Sequence, residues 1–270
     1  MIKTVAEIGI NHNSEITIAK KLIDITAAAG FSYIKFQKRE PDICVPNKQK
    51  SIIKQTPWGS MSYIDYKKKM EFNIEEYGEI DDYCRGKIKW FVSVWDIESA
   101  KKMIKFCDII KIPSALITDL DLLKACRDWY KRVIISTGMS TEEEIEEAVA
   151  VGNPDIVMHC RSTYPALARE LNLDYITWLR DKYTGRTIGY SGHEMGILPS
   201  ILAVMCGARW IERHVTLDKT MWGSDQFCSL EPSEMFDLIK GIKLAESTLG
   251  GYSERKLYES ESSKRESLRK

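Results

Sequence analysis

Short apolar runs rich in β-branched residues recur along the chain, and each is followed by a longer stretch with helical spacing. Eight runs stand out, at residues 5–10, 33–37, 90–94, 108–113, 133–137, 156–160, 187–190 and 210–215. Runs this short, apolar on both faces, suit parallel strands covered on two sides. Between them, Ile18, Leu22, Ile25 and Ala29 fall on one helical face. Met235, Leu238, Ile239, Ile242 and Ala245 do the same near the end. Thr141 is a capping residue ahead of an acidic run at 142–147, where the helix dipole favours carboxylates. Regular alternation of strand and helix predicts parallel strands joined by crossovers. Eight such units in about 250 residues predict an α/β fold, the closed (β/α)8 TIM barrel. An open doubly wound sheet is the alternative, but the first strand runs into Gly9-Ile10-Asn11-His12-Asn13 without a GxGxxG turn, and no P-loop follows anywhere.

Two segments break this rhythm. Residues 38–65 carry Pro41, Pro46, Pro57 and Gly59 without clean periodicity, and are expected to form a long loop over the strand ends. The division expected is a barrel over 1–250 and a polar tail or linker remnant over 251–270, extended or disordered.

Composition narrows the class. Of the 270 residues, 44% are hydrophobic and 29% charged, which excludes a mainly disordered or collagen-like chain. Lys plus Arg equals Asp plus Glu at 39 each, so no global basic excess points to nucleic acid or an anionic membrane. No stretch reaches the ~18–20 apolar residues of a membrane span. The start meets Glu7 too early for the apolar core of a signal peptide. Seven scattered cysteines without a CxxC pair read as free thiols in a reducing compartment, hence a cytoplasmic protein, rather than disulfides or a zinc site.

In a barrel of this kind chemistry gathers at the C-terminal strand ends. The polar residues falling there are Glu7, Lys35 with Gln37, Lys111 with Ser114, Ser136, Ser162 with Tyr164, Ser191 with His193, and Glu212 with His214. Lysines inside a strand need anions. Lys35 and Lys111, with serines and backbone amides, would make a phosphate or carboxylate cradle; the other reading pairs them with a core acid such as Glu7 or Glu212. His193 and His214 end neighbouring strands and could share a divalent ion, with carboxylates (Glu7, Asp225) or waters completing its shell; a hydrogen-bonded structural role is the alternative. All four histidines (His12, His159, His193, His214) fall at or near strand ends, which favours functional use.

These motifs resemble the sialic acid synthase family, the N-acetylneuraminate synthases and their nonulosonate relatives. The resemblance rests on Ala6-Glu7-Ile8-Gly9-Ile10-Asn11-His12-Asn13, Ile34-Lys35-Phe36-Gln37, Ile110-Lys111-Ile112-Pro113-Ser114 and Ile135-Ser136-Thr137-Gly138-Met139. It continues through Met158-His159-Cys160, Tyr190-Ser191-Gly192-His193-Glu194, Ile211-Glu212-Arg213-His214 and Gly223-Ser224-Asp225, and covers residues 4 to about 250. It implies a metal-dependent condensation of phosphoenolpyruvate with an acylated amino-hexose such as N-acetylmannosamine, releasing phosphate. It implies Mn2+ or Mg2+ on His193 and His214, and phosphoenolpyruvate on Lys35, Lys111, Ser114, Ser136, Ser162 and Ser191. Glu7, Gln37, Tyr164 and Asp225 would line the sugar and water side. Glu7 would take the proton of the incoming water, with a metal-bound water the alternative. The family habit suggests a homodimer.

Departures from the family pattern accompany these matches. Members usually continue into a C-terminal antifreeze-like domain that lends an arginine to the partner subunit's site. This sequence reaches only where the linker would begin, so the expectation is the catalytic barrel alone, with that domain cut away, carried on a separate chain or replaced by other grips. Leu116 stands where many members have an acid, Gln226 replaces a frequent His, Ser14 a common Gly, and Phe91-Val92-Ser93-Val94-Trp95-Asp96 a Ser-Thr-Pro-Phe-Asp pattern. The changes at 91–96, Leu116 and Gln226 are expected to surround the sugar. The rival function is a barrel that binds phosphoenolpyruvate or a phosphosugar without turnover, acting with a partner chain.

Overall fold

The computed structural model describes residues 1–251 and 254–269. Strands β1 (Lys3–Gly9), β2 (Tyr33–Lys38), β3 (Ile53–Thr56), β4 (Gly59–Ser62) and β5 (Lys89–Val94) come first in the chain. They are followed by β6 (Ile109–Ile112), β7 (Arg132–Ser136), β8 (Ile156–Cys160), β9 (Thr187–Gly192) and β10 (Trp210–His214). Setting β3 and β4 aside, the strands close into one parallel barrel in the order β1-β10-β9-β8-β7-β6-β5-β2. Each of the eight predicted runs supplies one barrel strand, so the (β/α)8 expectation holds.

The runs become strands because both of their faces are buried. Val5, Ile34, Val92, Ile110 and Ile134 are sealed from water, and the surrounding helices close over them with Leu22, Leu122, Leu179 and Leu238. Each such side chain contributes ~1.5–3 kcal/mol of transfer free energy. The helix Ile16–Ala29 buries Leu22 and Ala29, and the helix Pro232–Leu249 buries the five residues of its predicted stripe. Thr141 caps the helix Glu142–Gly152, its hydroxyl accepting from the Glu144 amide while the Glu144 carboxylate accepts from the Thr141 amide. The seven cysteines are free.

Two expectations are corrected. The segment 38–65 is not one long loop. It holds the helices Pro41–Cys44 and Asn47–Lys50 and the antiparallel hairpin β3–β4, then enters the helix Tyr63–Met70. Pro57 and Trp58 connect the strands with negative φ, and Gly59 after them carries the positive φ of +97° that lets an ordinary turn lead into the returning strand. The polar tail also folds in part, as the helix Glu259–Leu268, which buries none of its residues. Residues 252, 253 and 270 of that tail lie outside the described residues.

Ser14 explains one departure in the sequence. It sits at φ +64°, next to Asn13 at +49°, in the left-handed region where glycine is free of strain. Its hydroxyl donates to the Lys69 carbonyl, tying the first strand's loop to the helix Tyr63–Met70.

Candidate functional site

Alternation along a strand decides which side chains enter the barrel. Glu7 lies in register with Lys35 on one side and His214 on the other. Glu212 lies beside Ser191, and Ser93 beside Lys111. Residues two apart share a side, so Gln37 follows Lys35, His193 follows Ser191 and His214 follows Glu212 into one pocket of about 220 Å3 at the C-terminal strand ends. Ser114, Ser136, Ser162 and Tyr164 complete its predicted walls. Asp225 is the exception among the predicted site residues. It stands outside the walls, with Oδ2 3.9 Å from His214 Nδ1.

The residue that organises the floor is Glu212, which the sequence presents only as one possible partner for a buried lysine. One of its oxygens, Oε1, accepts from Lys111 Nζ at 2.6 Å, from Lys35 Nζ at 2.8 Å and from Ser191 Oγ at 3.1 Å. Burial opposes its charge, yet the two ammonium groups hold its carboxyl well below the usual range. The lysines therefore do pair with a core acid, and the pairing aims them at the pocket. Lys111 spends one of its three N–H groups on Glu212. Ser136 Oγ is buried without a partner. These unspent donors face the same space, which is what an anion cradle requires.

Glu7 sits above that floor. Gln37 Nε2 donates to its Oε1 at 2.9 Å, and Lys35 Nζ lies 3.4 Å from its Oε2, which is buried without a hydrogen bond. Burial pushes the Glu7 carboxyl up, with Glu212 adding to the effect and Lys35 opposing it. For Lys35, burial opposes the charge, but Glu212 and Glu7 hold its ammonium above the ordinary value. Lys111 is lowered, chiefly by burial and then by Lys35, against the pull of Glu212.

Gly138 makes the serine side possible. A Cβ there would meet Cys160 Sγ at 2.8 Å and Ser114 Oγ at 2.9 Å, and would collide with Ser162 Oγ. Its amide donates to Ser114 Oγ at 3.1 Å. Ser114 Oγ also lies 3.0 Å from Cys160 Sγ, a wall residue to which its motif, Met158-His159-Cys160, assigns no role.

The four histidines divide. His193 and His214 face the mouth with ring centroids 5.6 Å apart. His159 Nε2 instead lies 2.6 Å from the Leu171 carbonyl, and His12 stacks on Phe72 at 4.0 Å. The expectation that all four serve the site is corrected for these two, which are packed among aromatic rings behind the strands. Leu116 packs against the core, and Gln226 is buried, its amide donating to the Asn11 and Trp222 carbonyls at 3.3 Å. Neither lines the pocket. Ser93 and Trp95 do line it.

His193 Nδ1 is 2.5 Å from the Arg161 carbonyl, which can only accept, so the proton lies on Nδ1. Nε2 then keeps its lone pair and takes the Tyr164 hydroxyl at 3.0 Å. Burial, then the neighbouring His214, lowers His193 to about 3 and keeps it neutral. His214 Nδ1 is buried without a partner. Two adjacent imidazoles, with Asp225 behind one of them, suit a divalent ion with positions left for substrate oxygens, the His193 lone pair being exchanged from the Tyr164 hydroxyl to the ion. Among the described residues, no set of three or more His, Cys, Asp or Glu is close enough to form a complete protein cage.

A closed parallel barrel that brings two lysines, five serines and two imidazoles to its C-terminal mouth is an enzyme site of the (β/α)8 class. The profile of the NeuB family matches residues 22–254, and the chain belongs to that family. It is 35% identical over 257 residues to the N,N'-diacetyllegionaminic acid synthase of Campylobacter jejuni, covering 91% of this chain and 77% of that one. It is 36% identical over 251 residues to the N-acetylneuraminate-9-phosphate synthase of Drosophila melanogaster, covering 88% of this chain and 66% of the fly enzyme. Among solved structures, the N-acetylneuraminic acid (sialic acid) synthetase of Leptospira borgpetersenii, in complex with citrate, superposes with a TM-score of 0.86 at 32% identity. That match covers 99% of this chain and 92% of the other. The protein is a carbon–carbon bond-forming transferase of the sialic acid synthase type. No helix among the described residues is long and apolar enough to cross a membrane.

Proposed function

We propose that this chain condenses phosphoenolpyruvate with the open-chain aldehyde of an acylated amino-hexose of the N-acetylmannosamine type. The products are a nonulosonic acid and inorganic phosphate. The observation that carries this reading is the shared hold of Lys35, Lys111 and Ser191 on one oxygen of Glu212, in the pocket that also receives His193 and His214. Glu212 holds both ammonium groups at the pocket before any ligand arrives, so little reorganisation remains when a phosphate and a carboxylate bind.

The enol carbon of phosphoenolpyruvate attacks the aldehyde carbon: the enol π pair becomes the new carbon–carbon bond and the carbonyl π pair moves onto the aldehyde oxygen, which ends as a hydroxyl with one proton of the added water while the other leaves with phosphate. Water then adds to the carbon bearing the phosphate ester, the carbon–oxygen bond to phosphate breaks, and phosphate leaves. Lys35 and Lys111 offset the anionic charge throughout, and Ser114, Ser136 and Ser162 orient the oxygens. Glu7 Oε2 takes the proton of the incoming water. Its burial makes it a better base than an exposed carboxylate, and Gln37 fixes its orientation. Tyr164 and Asp225 hold the sugar side of the mouth. A divalent ion, Mn2+ or Mg2+, on His193 and His214 would polarise the aldehyde carbonyl.

The test is phosphate release with Mn2+, phosphoenolpyruvate and a sugar together. Release that needs all three is the expected result. If acyl-mannosamines and diacetamido-hexoses, phosphorylated or not, all fail to elicit phosphate, the proposed activity is wrong.

A further inference from the structure

The catalytic pocket holds about 220 Å3, which is less than the ~300–1,000 Å3 of most sites for one drug-sized ligand. It has room for phosphoenolpyruvate and the reacting end of a sugar, so the rest of the acceptor must extend past the rim. Asp225 marks the way out. One of its oxygens faces His214, and the other accepts from the Ser224 hydroxyl at 2.7 Å. Ser224 lines a second cavity, of about 590 Å3, between the β3–β4 hairpin with its following helix and the loop at 220–224.

That cavity has an unusual chemistry. Its walls carry Lys54 and Lys67, the rings of Tyr63, Tyr66 and Trp222, and no carboxylate. The ammonium of Lys67 lies 5.2 Å from the Tyr63 ring centre and 5.4 Å from that of Tyr66. Lys54 lies 5.6 Å from Tyr63, and Lys69 lies 5.0 Å from Trp58. Among the described residues none of these three lysines has an ion pair, whereas Lys68, between two of them, pairs with Asp42 at 2.9 Å. Burial, then the Arg39 charge, pulls the Lys67 ammonium down to about 8 against Asp225 and Glu71. A cation held among aromatic faces without a counter-ion is under-neutralised, and an arriving anion would relieve it. Trp222 is held in place, edge-on to Tyr66 at 5.3 Å and with its carbonyl accepting from Gln226.

We propose that this cavity is the distal acceptor subsite, in which Lys67 and Lys54 receive a phosphoryl group carried at the end of the sugar remote from its aldehyde. The inference rests on the condensation proposed above and narrows its acceptor to a phosphorylated amino-hexose. A phosphate monoester dianion matches the two ammonium groups in charge.

The experiment compares N-acetylmannosamine with its 6-phosphate, in turnover and in calorimetric binding, for the wild type, Lys67→Met and, as a charge-matched control, Lys68→Met. The wild type is expected to favour the phosphorylated sugar by about tenfold or more in kcat/KM, as one charge-assisted contact supplies. Lys67→Met should reduce that preference by about tenfold through KM rather than kcat, and Lys68→Met should keep it. Equal use of the two sugars by the wild type, or an unchanged preference in Lys67→Met, overturns the proposal. If neither sugar yields phosphate but the 6-phosphate still binds more tightly in a Lys67-dependent way, the subsite stands and the condensation fails. If neither turns over and Lys67→Met binds both as the wild type does, the subsite fails too.

Discussion

Arg213 and Glu194 meet at 3.0 Å with both side chains sealed from water. The pair lies on the outer side of β9 and β10, and each member is the chain neighbour of a mouth-facing imidazole, His214 or His193. Arg213 Nη1 also donates to the Gly196 carbonyl at 2.6 Å and to Ser200 Oγ at 3.1 Å, while Nη2 reaches the Glu194 carbonyl at 2.6 Å. The second Glu194 oxygen accepts from the Tyr190 hydroxyl at 2.8 Å. One guanidinium thus ties β10 to the loop after β9, on which His193 stands.

Breaking this pair should be costly because the surviving charge stays buried. Arg213→Ala is expected to lower stability by ~3–5 kcal/mol, read from urea unfolding. The double variant Arg213→Met, Glu194→Gln should recover part of the loss. A double variant as unstable as the sum of the singles would place the cost in packing rather than in the unpaired carboxylate.

Glu212→Gln leaves Lys35 and Lys111 close together without their shared counter-charge. Phosphate release should fall by about a hundredfold or more, and folding should lose roughly 3 kcal/mol. Activity near the wild-type level would show that the lysines do not need Glu212 to aim them.

Gly138→Ala places a methyl group against Ser114, Cys160 and Ser162. The expected result is an increase of about tenfold or more in the KM for phosphoenolpyruvate, with a thermal midpoint close to the wild type. An unchanged KM would move the anion away from the serine side.

His193→Ala and His214→Ala should each weaken Mn2+ binding by about a hundredfold, measured by calorimetry or by the electron paramagnetic resonance of free Mn2+. Chelation should stop turnover by the wild type, and added Mn2+ or Mg2+ should restore it. A variant that binds Mn2+ as the wild type does removes that imidazole from the ion.

His12 gives the fold an acid-sensitive element. Burial, then the Arg39 charge, lowers it from 6.5 to about 3, so between those values the unfolded chain binds a proton that the folded chain refuses. The contribution of His12 is therefore fully present above 6.5 and is lost as the pH falls toward about 3. His12→Phe should remove ~2 kcal/mol of the stability lost between about pH 7 and about pH 5, in parallel urea titrations. Equal losses in the variant and the wild type would mean that His12 protonates freely when folded.

The architecture was legible because a strand covered on two faces must be a short β-branched run, and the eight runs need no knowledge of their partners. The site residues were legible for a related reason. A lysine, glutamate or histidine within such a run has no local explanation, and spacing by two assigns Lys35 with Gln37, and Glu212 with His214, to common sides. The hairpin at 53–62 was hidden because its strands are exposed and lack an apolar face, leaving the turn at Pro57 and Trp58 as the sole cue. The standing of Glu212 was hidden because its partners, Lys35 and Lys111, are 177 and 101 residues away. Barrel closure alone brings those groups to one oxygen. The same closure turns His193 and His214 inward while leaving His12 and His159 against aromatic rings. The order of side chains along the chain thus determined the strands and the chemistry on offer. Which of those groups share one pocket was decided in three dimensions, because burial and hydrogen bonding act between neighbours in space.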